Sequence, residues 1–194
     1  MKAAERGGFK SASSDLEGEP FSIGGAVSPS VQVFFQRITF TEVAPVVWLG
    51  VYVEAFECEW RDRRLKTGLP AGGQSPVFGL DSMNVASLRP RPWVSNSPSD
   101  QEVAKVAEWL DRAFEYAKRL PSSLESLLAA IESGRMVDHP VTHYLGHPVE
   151  VRGFVEWLHR EHGVDVAARL LPGLSLRTEP YDVQAMLGSS SDER

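Results

Sequence analysis

The alternation of hydrophobic and polar positions is clearest between residues 30 and 56. Val31, Val33 and Phe35 occupy every second position, which is the period of a β-strand whose side chains point alternately to two faces. From residue 46 to residue 53 both alternating sets are largely apolar, as is typical of a strand that is covered on both faces. The pattern therefore predicts two strands of a hairpin at the centre of a sheet.

Shorter segments extend this predicted sheet. Residues 41–45 contain no tight Asn-Gly turn and end in proline, so they are predicted to form the loop between the two hairpin strands. Short strands are predicted over residues 21–23, 77–80 and 83–88. Residues 57–65 alternate in charge, which suits either a strand edge or an exposed helical turn.

Beyond these strands the hydrophobic period becomes helical. Ser99 and Glu102 have the spacing of a capping box, and apolar residues then recur three and four positions apart until Pro121. Strands first and helices last indicate an α+β fold, in which an antiparallel sheet of about four to five strands from the N-terminal half carries three to four C-terminal helices on one face. Besides the helix after Ser99, helices are predicted over residues 122–134, 148–163 and 166–171.

The chain length and its two ends bound the domain organisation. The 194 residues are enough for one sizeable core and not for two, so a single domain is predicted over residues 1–187. Residues 1–5 are predicted to form a short helix, and residues 188–194 are predicted to be a disordered tail. The start of the chain lacks the apolar core of a secretory signal, and no apolar run reaches the roughly 20 residues of a spanning helix.

Composition narrows the classes of function. The net charge of −6 argues against general nucleic-acid binding, and the single cysteine, Cys58, can form neither an internal disulfide nor a cysteine-based zinc cage. We therefore expect a cytoplasmic protein without a membrane anchor. The chain contains no nucleophile elbow, phosphate-binding loop or dinucleotide-binding glycine pattern, so we predict no catalytic residue and no cofactor.

Three histidines with a regular spacing are the main alternative to this interpretation. His139, His143 and His147 are four residues apart, and with Asp138 or Glu150 as an oxygen donor they are the candidate ligands of a metal-binding protein or hydrolase. Pro140 interrupts the helix that would place them on one face. We favour a polar connection whose histidines hydrogen-bond to backbone or solvent.

Charged and aromatic residues after the hairpin are the candidate partner interface. Arginine and tryptophan are the residue types that most often anchor interfaces, and clustered glutamates would compete for the cationic active site of a nuclease-like toxin. The competing interpretation is a solvated charged face with the tryptophan covering the core. The candidate residues are Glu54, Glu57, Glu59, Trp60, Arg61, Arg63, Arg64 and Trp93.

Several short phrases of the sequence resemble a bacterial family of domains of unknown function. The resemblance covers residues 4–131 and implies an α+β cytoplasmic domain; some members of that family are similar to immunity proteins of contact-dependent toxin systems. It implies no catalytic residues, and this chain departs from the family in its reduced N-terminal helix and additional C-terminal helical segment. The phrases are Gly8-Phe9-Lys10, Val33-Phe34-Phe35-Gln36, Trp48-Leu49-Gly50-Val51-Tyr52, Arg61 to Leu65, and the Pro-Ser-Ser-Leu-Glu-Ser-Leu that begins at Pro121.

Three functional hypotheses follow from these observations. The leading one is a non-enzymatic binding protein, an immunity protein that neutralises a cognate bacterial toxin by direct binding. The second is a metal-binding protein or hydrolase that uses residues 139–147. The third is a structural or regulatory domain that associates with itself through the exposed apolar side of the hairpin. The sequence assigns no oligomeric state.

Overall fold

The predicted hairpin is the longest pair of strands in the structure. The computed structural model describes residues 8–11, 19–66 and 77–174. Within it, β3 (Val27–Arg37) and β4 (Glu42–Val53) pair antiparallel along their whole length, with Val31 opposite Leu49. The predictions for residues 1–5 and for the tail at 188–194 lie outside the described residues.

The hairpin lies inside an antiparallel sheet. β4 has β3 on one side and two short strands on the other, so it is an interior strand, as its largely apolar sequence predicted. In the described part of the chain the sheet has six strands, and a separate two-stranded ribbon follows later. The remaining strands are β1 (Lys10–Ser11), β2 (Glu19–Ser22), β5 (Phe78–Asp81), β6 (Val94–Ser95), β7 (Arg135–Met136) and β8 (His139–Pro140).

Most helices follow the sheet in sequence, as predicted. Their ends show the predicted local chemistry: Ser99 and Glu102 form a capping box, Gly134 has a φ of +72°, and Pro148 lies in a first helical turn. No helix of the described residues is long and apolar enough to cross a membrane. The helices are α1 (Glu54–Lys66), α2 (Asp100–Ala117), α3 (Leu124–Ser133), α4 (Pro148–His162) and α5 (Val164–Leu174).

The helices pack on one face of the sheet, which confirms the predicted α+β architecture. Val47, Leu49 and Val51 point to this face and are fully buried. Trp109 of α2 lies below the sheet and donates its indole N–H to the carbonyl of Leu88 at 2.7 Å. The buried side chains form one continuous cluster that extends from the sheet through α2 to α5.

The predictions for two segments of the N-terminal half are wrong. Residues 42–45 belong to β4, and the hairpin loop lies at residues 38–41. Pro45 is tolerated in the strand because residues 44–47 pair with neither β5 nor β6, so its missing N–H costs no bond to those strands.

Residues 83–88, the second wrong prediction, form two 3-10 turns instead of a strand. The carboxylate of Asp81 accepts the N–H of Met83 at 2.7 Å, and such a local side-chain bond favours a turn.

Two helix boundaries also differ from the prediction. α3 is capped by Ser123 and Ser126, one residue later than predicted. α5 extends through Pro172 to Leu174, whereas the sequence predicts an end before the proline. A proline removes one hydrogen bond to the preceding turn, but Leu170 and Leu174 are fully buried, and this packing stabilises the last turn.

Candidate functional site

Helix α1 carries seven of the eight predicted interface residues, and it packs against α4. Trp60 lies on this contact: its ring stacks on Phe56 with 5.9 Å between centroids, and it covers Gly153 of α4. A Cβ atom on Gly153 would lie 2.4 Å from Cζ3 of Trp60, so the close approach of the two helices requires glycine there. Trp60 is thus part of the packing between the helices.

Ion pairs between α1 and α4 account for several of the charged candidates. Glu59 accepts hydrogen bonds from Arg63 on its own helix at 3.2 Å and from Arg160 on α4, whose second guanidinium contact to Glu59 is very short. Arg63 also donates to Glu156 of α4 at 3.1 Å. These charges are compensated inside the chain, which leaves Glu59 poorly placed to act on the cationic site of another protein.

The pair formed by Arg64 and Glu150 extends this network toward the start of α4. The guanidinium of Arg64 lies 3.7 Å from the carboxylate of Glu150, and both side chains are about one quarter exposed. Arg152 adds a further bond to Glu156 at 3.2 Å. The charged face of α1 therefore holds two helices together. Glu54, Arg61 and Arg63 are its exposed candidate residues, and of these Arg63 is paired with Glu59 and Glu156.

Glu57 differs from the other acidic candidates because it is largely buried. Its Oε1 accepts the N–H of Val77 at 3.1 Å. Burial raises the pKa of the carboxyl to about 8, and the nearby charge of Glu150 acts in the same direction, while the bond from Val77 opposes both. At neutral pH the carboxyl of Glu57 is mostly protonated, so it does not contribute the negative charge that the sequence suggested.

Trp93, the eighth candidate, lies far from α1. It precedes Val94, which pairs with Val43 near the beginning of β4, whereas α1 begins after the end of β4. The ten residues between Val43 and Val53 span roughly 33 Å of extended strand. The structure thus separates Trp93 from the charged helix with which the sequence grouped it.

The candidate metal ligands are also placed apart. His139 and His143 have ring centroids 5.9 Å apart, but His147 caps α4 by accepting the N–H of Val149, and Asp138 is paired with Arg119 at 2.6 Å. Burial and then the neighbouring His143 lower the pKa of His139. Across the described ranges, no three His, Cys, Asp or Glu side chains are grouped so that they could hold a metal ion.

Exposed apolar side chains concentrate on the hairpin and on the segment that borders β4. Elsewhere in the described chain, exposed large apolar residues such as Val103 and Val164 occur singly on helices. The exposed aromatic and aliphatic residues at the sheet mark a surface that sequence reasoning identified only in part, through Trp93 and the third hypothesis. We call it the hairpin surface and define it by Ile38, Phe40, Trp48, Met83 and Trp93.

Phe40 is the most prominent residue of the hairpin surface, with 89% of its area exposed. Its loop is fixed by hydrogen bonds: Thr39 Oγ1 accepts the N–H of Glu42 at 3.0 Å, and Asn96 donates its backbone N–H to Thr41 at 3.0 Å and its side-chain amide to the carbonyl of Phe40. Phe40 lies between Thr39 and Thr41 and belongs to no hydrophobic period, so the sequence carried no signal for it.

Trp93 lies beside the same end of β4 as this loop. It is 47% exposed, and the guanidinium of Arg91 lies 5.5 Å above its ring. Arg89 is held nearby by donation to the carbonyl of Met83. The hairpin surface therefore combines exposed aromatic rings with two arginines.

No protein-family model, no curated protein and no solved structure significantly matches this chain. The family resemblance of residues 4–131 therefore stays a prediction, and the geometry of the site carries the functional argument.

Proposed function

We propose that this chain is a non-enzymatic binding protein that neutralises a cognate bacterial toxin by direct contact, as an immunity protein does in the cytoplasm. We expect the toxin to contact the hairpin surface and not the charged face of α1. The observation that carries it is the exposure of Phe40 on a loop whose backbone is held by Asn96 and Thr39. The family resemblance supports the choice of a toxin as the partner.

The energetics of an exposed aromatic residue favour a binding role. Burying a phenylalanine side chain contributes about 1.5–3 kcal/mol, and none of that is realised while Phe40 remains in water. A loop that is already ordered loses little conformational entropy when a partner covers it. Phe40 and Trp93 therefore have the properties of interface anchors, for which truncation typically costs about 2 kcal/mol or more.

The charges around the hairpin surface indicate the chemistry of the partner. Arg89 and Arg91 lie beside Trp93 and Met83, and a guanidinium next to an aromatic ring recognises a carboxylate well. We expect the toxin to offer an apolar pocket for Phe40 with acidic side chains at its rim. Acidic side chains at this rim would pair with the two arginines and would be repelled by the glutamates of α1.

The test uses the purified full-length chain and the toxin encoded by the neighbouring gene. Isothermal titration calorimetry should detect a one-to-one complex, and Phe40→Ser should raise its Kd about tenfold to a hundredfold. Val103→Ser is the matched control, because Val103 is exposed on α2, away from the hairpin surface. Absence of any complex refutes the proposal, and equal effects of the two substitutions refute the assigned surface.

Self-association through the same surface is the second candidate, since an exposed apolar patch also serves contacts between copies of one chain. Light scattering at increasing protein concentration distinguishes the two. A dimer that Phe40→Ser converts to a monomer favours self-association. A monomer at all concentrations favours a different partner.

A further inference from the structure

Glu57 lies at a junction between three elements of the fold. From α1, its Oε1 accepts the N–H of Val77, the residue that precedes β5, at 3.1 Å. The carbonyl of the same Val77 accepts the N–H of Gly146 at 2.9 Å, which ties it to the segment before α4. One carboxyl group thus supplies the bond that attaches α1 to the beginning of β5.

Among the described residues, the charged group that acts on the Glu57 carboxyl is a second carboxylate and not a cation. From α4, the charged neighbour is the carboxylate of Glu150, and a Cβ atom on Gly146 would lie 3.1 Å from Glu150 Oε2 and from the Val77 carbonyl. From β4, the titratable neighbour is Tyr52, whose pKa is raised, chiefly by burial, so it is neutral. Arg64 of α1 pairs with Glu150. β5 begins with apolar residues and glycine.

We propose that Glu57 is a proton-dependent latch: its neutral carboxyl holds α1 against the start of β5, and loss of the proton weakens this junction. A buried carboxylate beside a second carboxylate is unfavourable unless a cation compensates it. The neutral acid keeps an oxygen that accepts the Val77 N–H without that penalty. This inference does not depend on the proposed toxin partner.

The direction of the pH effect follows from proton linkage. The carboxyl has its ordinary pKa of 4.5 when the junction is open and a pKa of about 8 when it is closed. Between these values the closed junction binds a proton that the open one has released, so closing becomes less favourable as the pH rises. The opening constant increases by up to about tenfold per pH unit in this interval and is constant above it.

Two measurements on the wild-type chain test the latch. Carboxyl ¹³C NMR should show Glu57 titrating near pH 8 rather than near its ordinary value. Hydrogen exchange should show the protection factor of the Val77 amide falling by up to about tenfold per pH unit between about pH 5 and 8. Protection factors are used because they correct for the base-catalysed intrinsic rate.

Substitutions distinguish an effect of carboxyl ionisation from an effect of side-chain packing. Glu57→Gln keeps an oxygen acceptor and cannot ionise, so the protection of Val77 should become independent of pH. Glu150→Gln removes the like charge and should lower the titration midpoint of Glu57. Glu125→Gln, an exposed carboxyl in the first turn of α3, is the matched control and should change nothing.

The latch is overturned if the Glu57 carboxyl titrates below pH 6 in the wild-type chain. It is equally overturned if Glu57→Gln folds and keeps the wild-type pH profile at Val77. Should that variant fail to fold, the wild-type carboxyl titration together with the Val77 profile decides the matter alone. A complex with the toxin, or its absence, affects neither result.

Discussion

Gly153 determines how closely α1 and α4 approach each other. The ring of Trp60 occupies the space that a side chain at position 153 would fill, and it stacks on Phe56 at the same time. Gly173 has the same role in α5, where its Cα lies against the backbone carbonyl of Ile131. In both places the absence of a side chain sets the distance between elements, which hydrophobic periodicity does not reveal.

Gly153→Ala and Gly173→Ala should therefore destabilise the protein despite the better helix propensity of alanine. The added Cβ would lie 2.4 Å from the Trp60 ring in the first case and 2.2 Å from the Ile131 carbonyl oxygen in the second. Overpacking of this kind costs about 1–3 kcal/mol, and a helical alanine returns about 1 kcal/mol of it. We expect the larger loss at Gly173, because a backbone carbonyl cannot rotate away.

Urea denaturation of the two variants measures these losses. Gly24→Ala is the control, since a Cβ at position 24 meets no atom within 4 Å. Wild-type stability for Gly153→Ala would mean that Trp60 is displaced without cost and does not fix the helix contact.

At the scale of elements, local patterns identified the hairpin and the capped helices because each carries its own signal. The alternation in β3 and the capping box before α2 depend only on neighbouring residues. α1 lacks such a signal, because its inward face consists of Phe56 and Trp60 among charged residues. The arginines and glutamates that pair with its charged side chains lie on α4, about a hundred positions later. Tertiary contacts therefore decide between the strand and the helix that the charge pattern left open.

The same reason limits what the sequence tells about the site. Charge and aromatic content grouped Trp93 with α1, but strand register places them at opposite ends of β4. The sequence grouped Glu57 with exposed acidic residues, because its burial depends on β5 and α4, which are distant from it in the sequence. Phe40 was overlooked because a single phenylalanine in a loop has no periodicity, and only its exposure distinguishes it.

Glu102 at the start of α2 should make the stability of the protein depend on pH in the acid range. The carboxylate of Glu102 accepts the N–H groups of Ser99 at 2.8 Å and Ser95 at 2.9 Å, and these bonds lower its pKa to about 2. The folded-state pKa is below its ordinary value, so this stabilisation is fully present above pH 4.5 and is lost as the pH falls toward 2.

Thermal unfolding of Glu102→Gln at several pH values tests this prediction. The variant should have a lower Tm than wild type above pH 5, and the difference should shrink as the pH approaches 2. Glu108→Gln, an exposed substitution on the same helix, is the control. A difference in Tm that is constant over the whole range would show that protonation of Glu102 is not the cause.

At the scale of the whole molecule, the fold divides apolar side chains between two roles. Those on the helix-facing side of the sheet, with Phe154 of α4, form the buried cluster, whereas those of the hairpin surface lie in water. The first set stabilises the structure on its own. The second set contributes little until a partner covers it, which is the physical basis of the proposed binding role.

Phenylalanine substitutions should therefore have opposite effects at the two places. Phe40→Ser should leave the free energy of unfolding within about 0.5 kcal/mol of wild type, because the side chain is already solvated. Phe154→Ala should lower it by about 3–5 kcal/mol, because it opens a cavity between Phe56 and Phe78, against which its ring packs at 5.3 and 5.2 Å. Urea denaturation under the conditions of the binding experiment measures both. A large loss of stability in Phe40→Ser would mean that the loop supports the fold, and its weaker binding could then no longer be attributed to a lost contact with the toxin.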